Sequence, residues 1–400
     1  MAIERGGNGD RPLWMTALGG CLALALAIGV GRFILTPLLP PMMSEIGLSP
    51  AEAGLVASAN YAGYLAGALL AALPIIGERR AVYLWGSVAG SVASTALMAL
   101  SGNLGWLLTL RFLAGIFSAF VLVIASGVVV ERLMRGGRPG LTAIHFSGVG
   151  VGISLTALLV GIATPLGAGW SGLWIMGGGL SLALAVAAFS LFGNIRTPRP
   201  QAGNVDVPFT LERPMIMLTL AYTLCGFGYA ITATFIITIA RDAALANDMQ
   251  MAIWFIVGIT ALPSVAFWTR MAARYGVMQA YGSATLLLSF GVALSVLVDG
   301  VPGLALAAFL LGATLMGITA LGLVAARRLC PDTQIRAIAF VTAGFSVGQM
   351  TGPALAGWLA ELSGMRGANA FLLPSLAASV LLLLSAWMAF RLPVLPEEKS

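Results

Sequence analysis

The stretch GVGRFILTPLLPPMM, residues 29–43, sets an arginine inside a run otherwise fit for the interior of a lipid bilayer. The apolar run reaches back to residue 13, and its roughly 30 residues are more than enough to cross a hydrocarbon core about 30 Å thick at about 1.5 Å per residue. A helix suits such a run. An ionisable side chain at that depth needs a partner or a purpose, because insertion of arginine at the bilayer centre costs at least about 2.5 kcal/mol.

The remaining sequence has the same character. Of 400 residues, 59% are hydrophobic and only 9% charged, and mean hydropathy is +0.96. Soluble domains carry roughly a quarter charged residues. Apolar runs at 13–42, 51–76, 81–101, 105–130, 140–163 and 170–193 are followed by runs at 214–240, 249–269, 277–298, 301–326, 336–360 and 369–391. They predict an all-α integral membrane protein of twelve transmembrane helices. The first run is about twice as long as a signal-peptide core, so it reads as a span and not as a cleaved leader.

Several classes of chemistry find no support. Cys21, Cys225 and Cys330 are too few and too scattered for a disulfide framework or a metal site. No Walker-type Gly-Lys-Ser/Thr occurs and the single lysine is Lys399, which argues against direct use of ATP. The expectation is a protein that is not an enzyme, with no cofactor, no metal and no catalytic residues.

The net charge of +6 could suggest nucleic acid, but the distribution of charge points to the bilayer instead. With the N-terminus inside, seventeen of the 21 basic residues fall in cytoplasmic segments, in clusters such as Arg79 and Arg80, Arg132, Arg135 and Arg138, and Arg327 and Arg328. Two, Arg241 and Arg366, fall outside. This asymmetry places both termini in the cytoplasm of a cell whose plasma (inner) membrane holds the protein, and excludes a nucleic-acid partner. The two basic residues left over, Arg32 and Arg111, are the basic side chains placed within spans.

The chain also repeats itself. The polar stretch NIRTPRPQAGNVDVPFTLER, residues 194–213, separates six spans from six and reads as a cytoplasmic linker between halves at 1–193 and 214–400. A shift of 197 residues lays GVGRFIL at 29–35 on GFGYAIT at 226–232, pairing Arg32 with Tyr229, and lays RFLAG at 111–115 on AFLLG at 308–312. The shift then drifts by two, where FSGVG at 146–150 meets FSVGQ at 345–349. Such a register is the mark of a parallel internal repeat.

Twelve spans in two halves with a central linker resemble the major facilitator superfamily. RFLAGIFSAF at 111–120 resembles the superfamily's fourth-helix motif, an arginine followed four residues later by glycine. GERRAVYL at 77–84 stands where the superfamily carries its loop motif between helices 2 and 3, with Glu78 in place of the usual acidic position. SVGQMTGPALAG at 346–357 resembles its Gly-Pro motif, here on helix 11. The helix 1 stretch together with SANYAGYLAGA at 58–68 is similar to the YbfB/YjiJ-type subfamily. The resemblance implies two pseudo-symmetric six-helix bundles. Helices 1, 4, 7 and 10 would line a central cavity, helices 2, 5, 8 and 11 flank it, and helices 3, 6, 9 and 12 face lipid.

No aspartate or glutamate lies at the depth of Arg32 or Arg111 in any predicted span. A guanidinium grips carboxylate, sulfonate or phosphate through two parallel hydrogen bonds, so the pair suits an anionic ligand. Arg111 equally fits a structural or proton-coupling position of the superfamily. Arg32 equally fits snorkelling, or bonding to carbonyls freed near Pro37, Pro40 and Pro41. Thr36, one turn from Arg32, joins the candidate binding residues, as do Asn60, Tyr61 and Tyr64 on helix 2, Tyr222 and Tyr229 on helix 7, and Gln349 on helix 11. His145 is the one histidine and the candidate proton-coupling group. The favoured reading is a secondary or facilitative transporter of a small organic anion, working as a monomer by alternating access, with a proton symporter as one form of coupling. An exporter of neutral or lipophilic compounds, with both arginines structural, is the alternative. A membrane sensor or assembly partner that transports nothing is the third reading, and the lack of a soluble domain weighs against it.

Overall fold

The computed structural model describes residues 12–71, 73, 79–192, 211–365 and 367–392. Among these residues there is no strand, and twelve long helical segments account for most of the chain. They are α1 (Leu13–Glu45), α2 (Pro50–Ala71), α3 (Arg80–Leu100), α4 (Leu104–Arg135), α5 (Thr142–Ala163) and α6 (Trp170–Phe192). The second half has α7 (Arg213–Asp242), α8 (Asn247–Ala261, then Ser264–Tyr275), α9 (Val277–Leu297), α10 (Val301–Leu329), α11 (Gln334–Leu362) and α12 (Leu372–Arg391).

Ten of the twelve are individually long and apolar enough to span a membrane, and the bent α8 makes an eleventh. The twelfth, α11, carries more polar residues because it is wedged between α2 and α7. The predicted linker 194–213 lies, through residue 210, outside the described residues. So do Gly77 and Glu78 of the loop motif, and Arg5, Arg11, Arg196, Arg199, Arg366 and Lys399.

Helix ends differ from the sequence expectation where backbone chemistry intervenes. The run at 249–269 reads as one straight span, yet α8 bends by 45° between Ala261 and Ser264 and then continues to Tyr275. Pro263 has no N–H, and the Leu262 N–H turns to the Ile259 carbonyl at 3.3 Å, so the ladder tightens and the axis swings. α4 runs past its apolar stretch to Arg135, because Arg132 and Arg135 complement the negative end of the helix dipole and Arg135 pairs with Glu131 at 2.5 Å. α1 passes through Pro40 and Pro41 to Glu45.

Each half is drawn together by glycine. On α5, Gly148 and Gly152 lie against the carbonyls of Cys21 and Ala25 on α1; on α11, Gly348 and Gly352 lie against the carbonyls of Thr223 and Phe227 on α7. The same small-residue contact thus recurs in both halves, as a repeat requires. α2 and α4 meet in the same way, with Gly63 on the Phe112 carbonyl and Gly115 on the Asn60 carbonyl.

Between the halves α1 meets α7, α2 meets α11 and α5 meets α8. The contacts of the first two pairs gather at the end away from the chain termini. Thr36 Oγ1 donates to the Ala233 carbonyl at 2.6 Å, and Arg241 Nη1 donates to the Pro40 carbonyl at 3.0 Å. Glu361 on α11 accepts from Ser49 Oγ at 2.8 Å and from the Ala51 N–H at 3.2 Å, capping α2 from across the divide. Helices α3, α6, α9 and α12 turn large apolar side chains such as Val82, Phe189, Phe290 and Trp387 outward.

Gly152→Val is expected to lower the melting temperature of the detergent-purified protein, since its Cβ would strike the Ala25 carbonyl and Gly29, and overpacking costs about 1–3 kcal/mol. Gly179→Val, where a Cβ meets nothing within 4 Å, should leave the melting temperature unchanged.

Candidate functional site

The site begins with the backbone of α1. Residues 25–30 form a π-turn in which the Gly31 N–H reaches back to the Leu26 carbonyl at 2.7 Å. Pro37 comes two turns later and cannot donate to Phe33. The Phe33 carbonyl accepts instead from the Thr36 N–H at 3.2 Å, and the Arg32 carbonyl loses the N–H that an unbroken helix would supply.

Arg111 fills that gap. Its Nη1 donates to the Gly31 carbonyl at 2.7 Å and its Nη2 to the Arg32 carbonyl at 2.8 Å. Asn60 Nδ2 donates to the carbonyl of Arg111 itself at 3.0 Å, so α2 holds α4 while α4 holds α1. Such charge-assisted bonds contribute about 1.5–3 kcal/mol each.

Arg32 is placed differently. It is 8% exposed, its guanidinium carbon stands 4.2 Å from the Tyr64 ring centre and 5.2 Å from that of Tyr61, and its Nε and Nη2 have no hydrogen-bond partner. Cation–π contact of this kind contributes on the order of 1–2 kcal/mol, but it covers the face of the guanidinium and leaves its edge unsatisfied. Among the described residues no ion pair includes Arg32 or Arg111.

Two spaces flank Arg32. A narrow cleft on the side away from the termini is lined by Arg32, Thr36, Asn60, Tyr61, Arg111 and Thr234. A larger cavity extends toward the end that carries the termini. It is bounded by Arg32, Tyr64, Tyr229 and Gln349 at mid-depth, and by Tyr222, Thr342 and Leu323 further along. Its lining comes from α1, α2, α4, α7, α10 and α11. Helices 1, 4, 7 and 10 contribute as the family resemblance implies, and Tyr64 and Gln349 bring in two of the flanking helices. None of α3, α6, α9 or α12 reaches it.

On the second half, Tyr222, Phe345 and Tyr229 form a ladder of near-parallel rings, with centroids 4.2 Å and 5.7 Å apart and planes 17° and 8° apart. Gln349 Nε2 donates to the Tyr229 hydroxyl at 2.6 Å, and the Tyr222 hydroxyl donates to the Thr319 carbonyl at 3.1 Å.

Nine of the ten sequence candidates therefore line one of the two spaces: Arg32 both, Arg111, Thr36, Asn60 and Tyr61 the cleft, and Tyr64, Tyr222, Tyr229 and Gln349 the cavity. His145 lines neither. It is fully buried on α5, hydrogen-bonded through Nε2 to Ser126 on α4 at 2.9 Å and packed against Gly20 on α1. Sequence reasoning passed over Phe33, Phe345, Thr319 and Thr342. Their signal was positional, since 342, 345 and 349 fall on one face of α11, as do 315, 319 and 323 on α10.

A family model described as "Uncharacterised MFS-type transporter YbfB" matches residues 24–389. Among curated relatives, the MFS-type transporter YceJ of Bacillus subtilis is 26% identical over 66% of this chain and 69% of its own. A chloramphenicol resistance protein of Streptomyces lividans is 24% identical over 86% of this chain and 88% of its own. Among solved structures, a mutant of the nucleoside transporter NupG superposes with a TM-score of 0.75 at 15% identity, covering 94% of this chain and 99% of that one, a likeness of fold alone.

The two arginines should respond oppositely to the same change. Arg111→Met removes two bonded N–H donors and is expected to lower the melting temperature of the ligand-free protein by several degrees. Arg32→Met removes an unpartnered buried cation and should leave it at or above the natural value. Differential scanning fluorimetry of the purified variants decides this, and equal losses from both would refute the assignment.

Proposed function

The chain belongs to the family of YbfB-type transporters of the major facilitator superfamily, and from that premise we propose that it moves a small organic anion across the membrane, with Arg32 pairing the anion's charge. The observation that carries this reading is the unpartnered Nε and Nη2 of a guanidinium that is 8% exposed at the head of the cavity. A buried cation without a counter-ion costs several kcal/mol, and an anionic cargo removes that cost on binding.

Arg111 acts through Arg32. Its bonds to the Gly31 and Arg32 carbonyls hold the π-turn in place and so fix where the Arg32 side chain leaves α1. Its positive charge adds to the attraction for an anion, while Nη1 and Nη2 are committed to backbone and Nε is left without a partner.

The positive-inside distribution supports a plasma (inner) membrane protein with both termini in the cytoplasm; in that orientation the cavity faces inward and the contacts around Thr36, Arg241 and Glu361 close the outer side. Transport then follows from rocking of the halves 1–193 and 214–400 about the linker 194–213, in a monomer, as a secondary or facilitative step. A proton coupled through His145 would have to pass between α1, α4 and α5, away from the cargo, so coupling by this residue would act through helix packing.

A second reading has one observation in its favour. Much of the cavity wall is aromatic or aliphatic, including Phe33, Leu122, Leu315 and Met316, and a relative of similar length is a chloramphenicol resistance protein. Export of neutral or lipophilic compounds would fit those walls and leave Arg32 structural.

Thermal stabilisation of the purified protein by a panel of carboxylates, sulfonates, phosphates, neutral lipophiles and lipophilic cations separates the two. Carboxylates are expected to stabilise the natural protein and not Arg32→Ala. Arg32→Lys keeps the charge but loses the fork, and should reduce anion uptake in proteoliposomes by about tenfold or more, the equivalent of about 1.4 kcal/mol. Stabilisation by neutral compounds alone, or by anions equally in Arg32→Ala, would sink the anion reading.

A further inference from the structure

We propose that the anion is a planar aromatic carboxylate that carries a hydrogen-bond donor on the ring edge opposite the carboxylate; this rests on the anion reading and narrows it.

The carboxylate end follows from which nitrogens of Arg32 are free. Nε and Nη2 lie on one edge of the guanidinium and point their N–H bonds in parallel, the spacing that matches the two oxygens of a carboxylate. The Tyr64 ring covers the face of the guanidinium at 4.2 Å, so approach is in plane, along that edge.

The donor end follows from how the Gln349 amide is held. Gln349 Nε2 donates to the Tyr229 hydroxyl at 2.6 Å. That leaves Gln349 Oε1, an acceptor on a residue 1% exposed, with no partner of its own. A buried carbonyl oxygen in that state calls for a donor and repels a second carboxylate.

The middle of the ligand follows from the walls. Besides Arg32 and Gln349 the cavity presents the rings of Phe33, Tyr64, Tyr229 and Phe345. Tyr229 and Phe345 are near-parallel members of the ring ladder, so a flat ring laid against them continues a stack already present. Two of the four lining hydroxyls besides Tyr229 have their protons committed, Thr319 Oγ1 to the Leu315 carbonyl at 3.1 Å and Tyr222 to the Thr319 carbonyl at 3.1 Å, which leaves those of Tyr64 and Thr342. A sugar would bring more hydroxyls than so few groups can pair. An ammonium group would find no carboxylate in the lining.

The test is binding to the full-length purified protein, by calorimetry or thermal shift, of 4-hydroxybenzoate, benzoate, 4-methoxybenzoate, cyclohexanecarboxylate, terephthalate and 4-hydroxybenzamide. 4-Hydroxybenzoate is expected to bind about tenfold or more tightly than benzoate, 4-methoxybenzoate or cyclohexanecarboxylate, with terephthalate and the amide weaker still. Gln349→Met should erase the advantage of the hydroxyl while benzoate still binds. Arg32→Ala should abolish binding of all the carboxylates.

If cyclohexanecarboxylate matches the aromatic acids, or the hydroxyl advantage is absent or survives Gln349→Met, the aromatic-donor assignment is overturned while loss in Arg32→Ala keeps the anion reading. If the amide binds as well as the acid, or Arg32→Ala binds undiminished, the anion reading fails and this inference falls with it.

Discussion

The grip of Arg111 on two backbone carbonyls is the interaction on which the site depends. It exists because Pro37 cannot donate an N–H: the Phe33 carbonyl takes the Thr36 N–H, and the Arg32 carbonyl is left for a side chain of α4. In an apolar medium a free carbonyl is expensive, and so is a free guanidinium, and each removes the other's cost. The result is a helix that is irregular at the bilayer's middle yet held in one shape. Irregularity there is what turns the side chain of Arg32 into a cavity instead of along a helix ladder. The glycine contacts of α2 with α4 bring Arg111 close enough to reach.

Much of the fold was legible because membrane burial leaves a coarse signature. Runs of about 20 apolar residues and the loop charges predict twelve helices. The register of 197 residues has a physical counterpart at Thr36, whose hydroxyl bonds to the carbonyl of Ala233, its own repeat mate. The bend at Pro263 was less legible, since proline in a membrane helix can be absorbed or can break it, and which occurs is decided by neighbouring helices. The identity of the cavity residues was legible where a polar or charged group stood in an apolar run, as with Arg32 and Gln349. Phe345 and Phe33 left no such mark, because an aromatic lining a cavity and an aromatic in a core look alike in sequence.

The division of labour between the arginines was not legible. Both stand in apolar runs without a carboxylate, and the sequence offered Arg32 as the one nearest to carbonyls freed by proline. Those carbonyls do need a guanidinium, but a side chain leaves its own backbone and reaches a neighbour's more easily. Arg111, crossing from α4, meets the Gly31 and Arg32 carbonyls head on, while Arg32 is carried away from them toward Tyr61 and Tyr64. Direction, which sequence spacing does not carry between helices, decides which arginine bonds the backbone.

The repeat makes the remaining asymmetry informative. At the position where the first half has Arg32, the second half has Tyr229, whose hydroxyl accepts from Gln349. One half thus presents unpartnered donors and the other an unpartnered acceptor, in the lining of a cavity whose walls are largely apolar. A symmetric pair of arginines would attract anions without orienting them. A donor edge facing an acceptor admits a ligand in one direction only, and its two ends rest on different halves of the molecule. Under the proposed reading, a ligand so held would tie the two halves together, and its occupancy would bias their rocking.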